Sequence, residues 1–329
     1  MTAGARRVPW GLVVTVAALF VPALGSRFYT FVATDVAILA LFAVSLNLLL
    51  GYTGLVSFGH AAYFALGAYT CGLLLKKLAV PFVLAWPAGG LLAAGFALLF
   101  GFFCVRLTKI YFAMLTLAFA QLLYAVAYKW QSVTGGSDGL AGVPRTPGPF
   151  GLTWFTSRAG YYYLVAACLA ASYALCRAFV ASPVGATLLA IRDHERKAEA
   201  LGYPTRAYKV VVFVVASFFG GLAGALYAPF AGFTSPELFF WTVSGQALIM
   251  VIVGGAGTLV GPMLGAAFFL LLEHHLSAVT DSWALGLGLI FVAVVILVPD
   301  GLWGLLRRRT SRRPAPGAVV VRPHGQPVP

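Results

Sequence analysis

The sequence predicts an all-α polytopic membrane protein of about ten transmembrane helices with both termini cytoplasmic, and three observations carry that prediction. Of its 329 residues, 61% are hydrophobic and only 9% charged, with a mean hydropathy of +0.92; soluble domains carry about 25% charged residues. The apolar residues fall in runs of roughly 20, the length that crosses about 30 Å of hydrocarbon as a helix. Basic residues are distributed unevenly among the segments joining those runs, as the positive-inside rule requires. The net charge of +13 therefore belongs to membrane flanks, not to a nucleic-acid surface. Arg307, Arg308, Arg309, Arg312, Arg313 and Arg322 all follow the last apolar run.

Taken in order, runs near 8–26, 32–50, 58–78, 81–105, 110–128, 161–181 and 208–230 each suffice for one span. The stretch 243–275 is too long for one helix and is cut by Gly254-Gly255-Ala256-Gly257; a final run covers 283–299. Charge decides how to count 243–275. As one helix it would send the six tail arginines outside. Split at Gly254–Gly257, it gives ten spans and places 16 Lys/Arg inside: Arg6, Arg7, Arg106, Lys109, Arg177, Arg192, Arg196, Lys197, Arg206, Lys209 and the six of the tail. Six lie outside: Arg27, Lys76, Lys77, Lys129, Arg145 and Arg158. The adjacent pair Lys76-Lys77 fits the rule least well. Arg6-Arg7, an apolar core and Ala23-Leu24-Gly25 also fit a cleaved signal peptide, although an uncleaved first helix serves equally well.

Domain organisation follows: a transmembrane unit over 1–306 and a basic, Pro-rich tail over 307–329, expected to be disordered. Residues 129–160 form a Gly- and Pro-rich outside loop containing TGGSDGLAGVP, where Asp138 orients a tight turn or meets a partner. The four cysteines, Cys71, Cys104, Cys168 and Cys176, lack CxxC spacing and read as buried hydrophobes. Glu273-His274-His275 reads as a polar helix end: adjacent helical residues point about 100° apart and do not converge on a metal. No metal or cofactor is expected. There is no GxxxxGK[ST], HExxH or GxSxG, so the chain carries no ATPase or hydrolase motif of its own. Acidic residues at membrane depth, usual in ion-coupled transporters, are scarce. Energy is expected to come from a partner.

The run LNLLLGYTGLVSFGHAAYFALGAY (46–69) is interrupted by glycines, an Asn and a His. Unwound backbone at membrane depth is tolerated only when it is buried in protein or lines a cavity. Gly51, Gly54, Gly59, Gly254, Gly255 and Gly257 mark the two interruptions. Asn47, Ser57, His60, Gln121 and Gln246 are the candidate pathway side chains. Helix–helix packing explains the same residue types, because small residues allow close approach and polar groups bond across helices. On the ten-span count, Gly51–Ser57 falls at the inside end as a hinge or close-packed corner. His60 sits just within the next span, hydrated or bonded to a neighbouring helix.

The inside segment SPVGATLLAIRDHERKAEALGYPTRAYK (182–209) predicts a short helix from Gly185 to Gly202. Leu188, Ile191, Ala198 and Leu201 approximate an apolar stripe, Asp193 and Lys197 an i,i+4 ion pair, and Gly202 with Pro204 a stop. Such a helix docks in a partner's groove or lies on lipid.

Four blocks in order, LNLLLGYTGLVSFGHAAYFALGAY, TGGSDGLAGVP, AIRDHERKAEALGYPTRAYKVVVFVVASFFGGLAGALYAPF and GGAGTLVGPMLGAAFFLLLE, closely resemble branched-chain amino-acid ABC importer permeases of the LivM type. The resemblance runs from about residue 35 to 306; Asp300, where these proteins usually carry a basic residue, and the tail beyond Arg309 depart from it. It implies a permease in the plasma (inner) membrane of a bacterium, working as a heterodimer with a sister permease subunit. It also implies two cytoplasmic ATP-binding subunits and an extracytoplasmic substrate-binding protein delivering leucine, isoleucine or valine. The inside helix would be the coupling helix, with Arg192, Asp193, Glu195, Arg196, Glu199, Ala200 and Gly202 toward the ATPase. Related permeases carry urea or other small amides with the same blocks. A stand-alone secondary transporter or channel is the second reading; an intramembrane enzyme lacks paired acid/base residues.

Overall fold

A computed structural model describes residues 27–107, 109–145, 156–298 and 301–310. The expected first span at 8–26, its signal-peptide reading and the tail beyond 310 lie outside the described residues. In chain order the helices are α1 (Arg27–Thr53), α2 (His60–Lys77), α3 (Phe82–Cys104), α4 (Lys109–Lys129), α5 (Arg158–Ala181), α6 (Pro183–Ala200), α7 (Thr205–Ala231), α8 (Trp241–Gly254), α9 (Val260–Val279), α10 (Trp283–Leu297) and α11 (Gly301–Thr310). Among the described residues, six of these (α1, α3, α4, α5, α7 and α9) are long and apolar enough to cross a membrane, and α8 and α10 are shorter apolar helices. The stretch read as two helices is two: α8 ends at Gly254 and α9 begins at Val260. Glu273-His274-His275 lies within α9, which continues to Val279.

Helices α1 and α7 form the centre. They bury 72% and 67% of their most apolar stretch, against 22% for α5. Helix α7 can sit there because Gly221 and Gly224 of its FFGGLAGAL segment present no side-chain bulk to the neighbouring helices. A Cβ on Gly224 would fall 1.8 Å from Phe64 O, and one on Gly67 would fall 2.0 Å from Gly221 O. Backbones that close leave room only for hydrogen, and in lipid such contact is what holds helices together. The cysteines are free and buried between helices.

At the α1 N-terminal end of the bundle, α4 is followed by a single helical turn (Gln131–Thr134) and a 3-10 turn (Gly136–Asp138). A two-residue strand β1 (Leu140–Ala141) then pairs antiparallel with β2 (Phe233–Thr234) after α7, in the register Leu140↔Thr234. Asp138 accepts from Ser137 Oγ at 3.2 Å. Lys76 Nζ donates to Ala141 O at 2.6 Å and Lys77 Nζ to Ser132 O at 2.9 Å. The lysines that suit the charge rule poorly fasten this loop.

Helix α6 departs from its sequence reading in three ways. It starts earlier, at Pro183, capped by Ser182, whose hydroxyl accepts from Gly185 N at 3.4 Å. It is not one continuous helix, because His194 takes φ −152°, ψ 81°. That kink breaks the register between Asp193 and Lys197, so the expected i,i+4 pair does not form and Asp193 pairs with Arg192 at 3.2 Å. Leu188, Ile191 and Ala198 are buried as the stripe required, but Leu201 is 77% exposed. It belongs to the turn in which Gly202, at φ +89°, ends the helix and leads the chain into α7.

Candidate functional site

The two glycine interruptions, far apart in sequence, meet at one corner of the bundle. Helix α1 terminates where Gly54 takes φ +69° and donates to Leu50 O at 3.1 Å. A helix end leaves its last carbonyls without intrahelical donors. One of them, Gly51 O, is taken by Arg192 Nη1 of α6 at 2.6 Å. A guanidinium there also meets the negative end of the helix dipole. One turn earlier, Asn47 is fully buried; its Nδ2 donates to Thr258 O at 2.9 Å and its Oδ1 accepts from Gly257 N at 3.0 Å. A single carboxamide thus satisfies both a donor and an acceptor of the unwound segment between α8 and α9. Gly51 must lack a side chain, since a Cβ would lie 2.4 Å from Gly257 N and 2.1 Å from Asn47 Oδ1.

The remaining polar groups of the α8–α9 break are held locally. Thr258 Oγ1 donates to Gly255 O at 3.0 Å and accepts from Gly261 N at 3.1 Å. The first residue of α11 seals the other side: a Cβ on Gly301 would lie 2.4 Å from Gly255 Cα. Gly254 packs so closely on Gly261 that its Cβ would sit 2.0 Å from Gly261 O. The break is irregular backbone packed against protein at Gly254, Gly255 and Gly257 and exposed at Ala256.

Beyond His194, α6 faces a different neighbour. Glu195 pairs with Lys209 of α7, whose side chain is buried, and Glu199 Oε1 accepts from Thr205 Oγ1 at 2.8 Å. The surface left open includes Asp193, His194, Arg196, Lys197, Ala200, Leu201, Gly202 and Tyr203, all exposed. Of the expected docking residues, Arg192, Asp193, Glu195 and Glu199 therefore bond within the chain, and Arg196, Ala200 and Gly202 present outward.

The pathway candidates are placed separately. His60 is fully buried, its Nε2 within 2.9 Å of Ser45 Oγ and its ring stacked on Phe42 at 5.4 Å; of its two expected surroundings, it has the bond to a neighbouring helix. Gly59 packs on α4, where a Cβ would lie 2.0 Å from Thr116 O. Ser57 is buried and its hydroxyl has no partner among the described residues; the same holds for Gln121 Nε2 on α4. Gln246 on α8 is exposed. Residues the sequence reading passed over include Ser45, Ser244, whose hydroxyl accepts from Ala61 N at 2.8 Å and so caps α2, and Thr258. Ser45 and Ser244 had a signal, being hydroxyls inside apolar runs. Gly301 had none.

A family model for the permease component of branched-chain amino acid transport systems matches residues 28–298. The chain belongs to that family. The high-affinity branched-chain amino acid transport system permease protein LivM of Escherichia coli (strain K12) is 30% identical over 308 residues, covering 87% of this chain and 72% of the relative. LivM of Salmonella typhimurium (strain LT2) is 29% identical over the same coverage. No solved structure matches. The matched span of this family permease holds the whole corner except Gly301: α1 with Asn47 and Gly51, α6 with Arg192, and the α8–α9 break.

Proposed function

We propose that this chain is the membrane subunit of an ATP-driven importer of branched-chain amino acids, with ten spans, both termini cytoplasmic, in the inner membrane of a bacterium. In this reading it pairs with a sister permease, and two ATP-binding subunits dock on the cytoplasmic face. A binding protein delivers leucine, isoleucine or valine to the other side. The observation that carries it is the α6 surface. A kinked helix anchored inward through Arg192, Glu195 and Glu199 leaves Asp193, Arg196, Ala200, Leu201 and Tyr203 outward, on a chain with no nucleotide motif. An exposed Leu and Tyr rimmed by charge have the composition of a docking patch.

Motion of the docked ATPases would reach the spans as rigid-body tilting and give alternating access. The test is reconstitution of the chain with its co-purified partners in vesicles. Leucine uptake requiring ATP and the binding protein is expected, together with loss of substrate-stimulated hydrolysis in Leu201→Asp at undiminished membrane content. Uptake by the chain alone on an ion gradient would overturn the proposal.

A further inference from the structure

Helix α6 is tied to the bundle in two places, and the non-helical His194 lies between them. Behind His194, Glu195 and Glu199 hold the start of α7 through Lys209 and Thr205. Ahead of it, Arg192 reaches Gly51 O. That carbonyl lies against the α8–α9 break: a Cβ on Gly257 would be 3.4 Å from Gly51 O and 3.3 Å from Arg192 Nη1. On the same end of α1, Asn47 grips the backbone of Gly257 and Thr258. A continuous polar chain therefore runs from the docking helix through Gly51 and Asn47 to the unwound segment. Each link joins one side chain to the backbone of the next element.

We infer that Arg192 is a positioning residue for transport: it ties the first half of α6 to the α8–α9 break, so that displacement of α6 carries the break with it. The second half, beyond His194, stays with α7. The kink lets the two halves move unequally, and the unwound segment is the part of the permease that responds. This rests on reading α6 as the ATPase-docking helix, but the tie itself can be measured without substrate or nucleotide.

The experiment uses the full chain with its partner subunits in membranes, spin-labelled at Ala256→Cys. Ala256 is exposed within the break, and Cys71, Cys104, Cys168 and Cys176 are buried, so the label reports on that segment. Arg192→Leu is expected to mobilise the nitroxide and lower leucine uptake by about tenfold or more, the scale of one hydrogen bond to a charged group. ATP hydrolysis should stay near that of the parent, and the melting temperature should fall only modestly, as for the loss of one hydrogen bond. Arg192→Lys keeps a cationic donor within reach of Gly51 O and should restore part of both signals; Arg192→Gln, neutral, should restore less, and it replaces the Leu variant if that chain does not fold. An unchanged nitroxide spectrum, or a mobilised label with full uptake, overturns the inference. So does a melting temperature that falls in step with uptake and is not rescued by Lys. The spectrum is read with no ligand present, so a failure of the amino-acid importer reading would leave it standing, and a failure of the tie would leave the importer assay intact.

Discussion

Two sets of polar side chains occupy the apolar helices, and they differ in what their hydrogen bonds are spent on. Asn47 and His60 are fully buried and bonded within the chain, Asn47 to the backbone of the α8–α9 break and His60 to Ser45. Gln121 keeps an unpartnered Nε2 on α4, and Gln246 is exposed on α8. The lesson is that polarity in a membrane helix has two meanings. A satisfied group is a fastener between elements, whereas an unspent one in an apolar surrounding still has capacity for a ligand, a water or a sister subunit.

The largest effect should come from the fastener with most to lose. Asn47→Leu strands both Gly257 N–H and Thr258 C=O, at about 1–3 kcal/mol for each group left unpaired. A strong drop in detergent melting temperature and in membrane content is expected, whereas a variant that melts with the parent would show that the clamp contributes nothing. Gly51→Ala comes next, because its methyl must displace both the buried Asn47 carboxamide and the Gly257 backbone; overpacking of this kind costs about 1–3 kcal/mol. It should reproduce the Asn47 phenotype in the same melt. Ser45→Ala removes one neutral bond to His60 and should cost about 0.5–1.5 kcal/mol, seen as a modest melting shift with uptake retained.

The smallest stability effect belongs to the unspent set. Gln121→Leu and Gln246→Leu should each leave the melt within about 0.5 kcal/mol of the parent while changing leucine uptake. Normal uptake in both variants would erase the distinction between the two sets.

Much of this arrangement is readable from composition and period. The helical architecture and the division of 243–275 follow from run length and from arginines that must stay on one side. The stripe Leu188, Ile191 and Ala198 is visible because burial in a helix imprints its period on the sequence. The kink at His194 is not, since histidine is not a helix breaker and the bend depends on ties to two different neighbours. Nor is the pairing of Asn47 with Gly257 and Thr258, more than 200 positions away. A single sequence marks Asn47 as costly to bury but says nothing of which backbone it satisfies. The same limit hid Gly301, whose only distinction is what it lies against.

Gly301 also gives the corner an order in time. The ribosome delivers α1 with Asn47 first, then Arg192, then the Gly254–Thr258 segment, and only afterwards the residue that closes over Gly255. Until α11 is made, Gly255 lacks that cover. A chain stopped short of residue 301 would therefore carry nearly every helix and still fail to seal the corner. The Asn47 clamp and the Arg192 tie are thus both synthesised before the residue that covers Gly255.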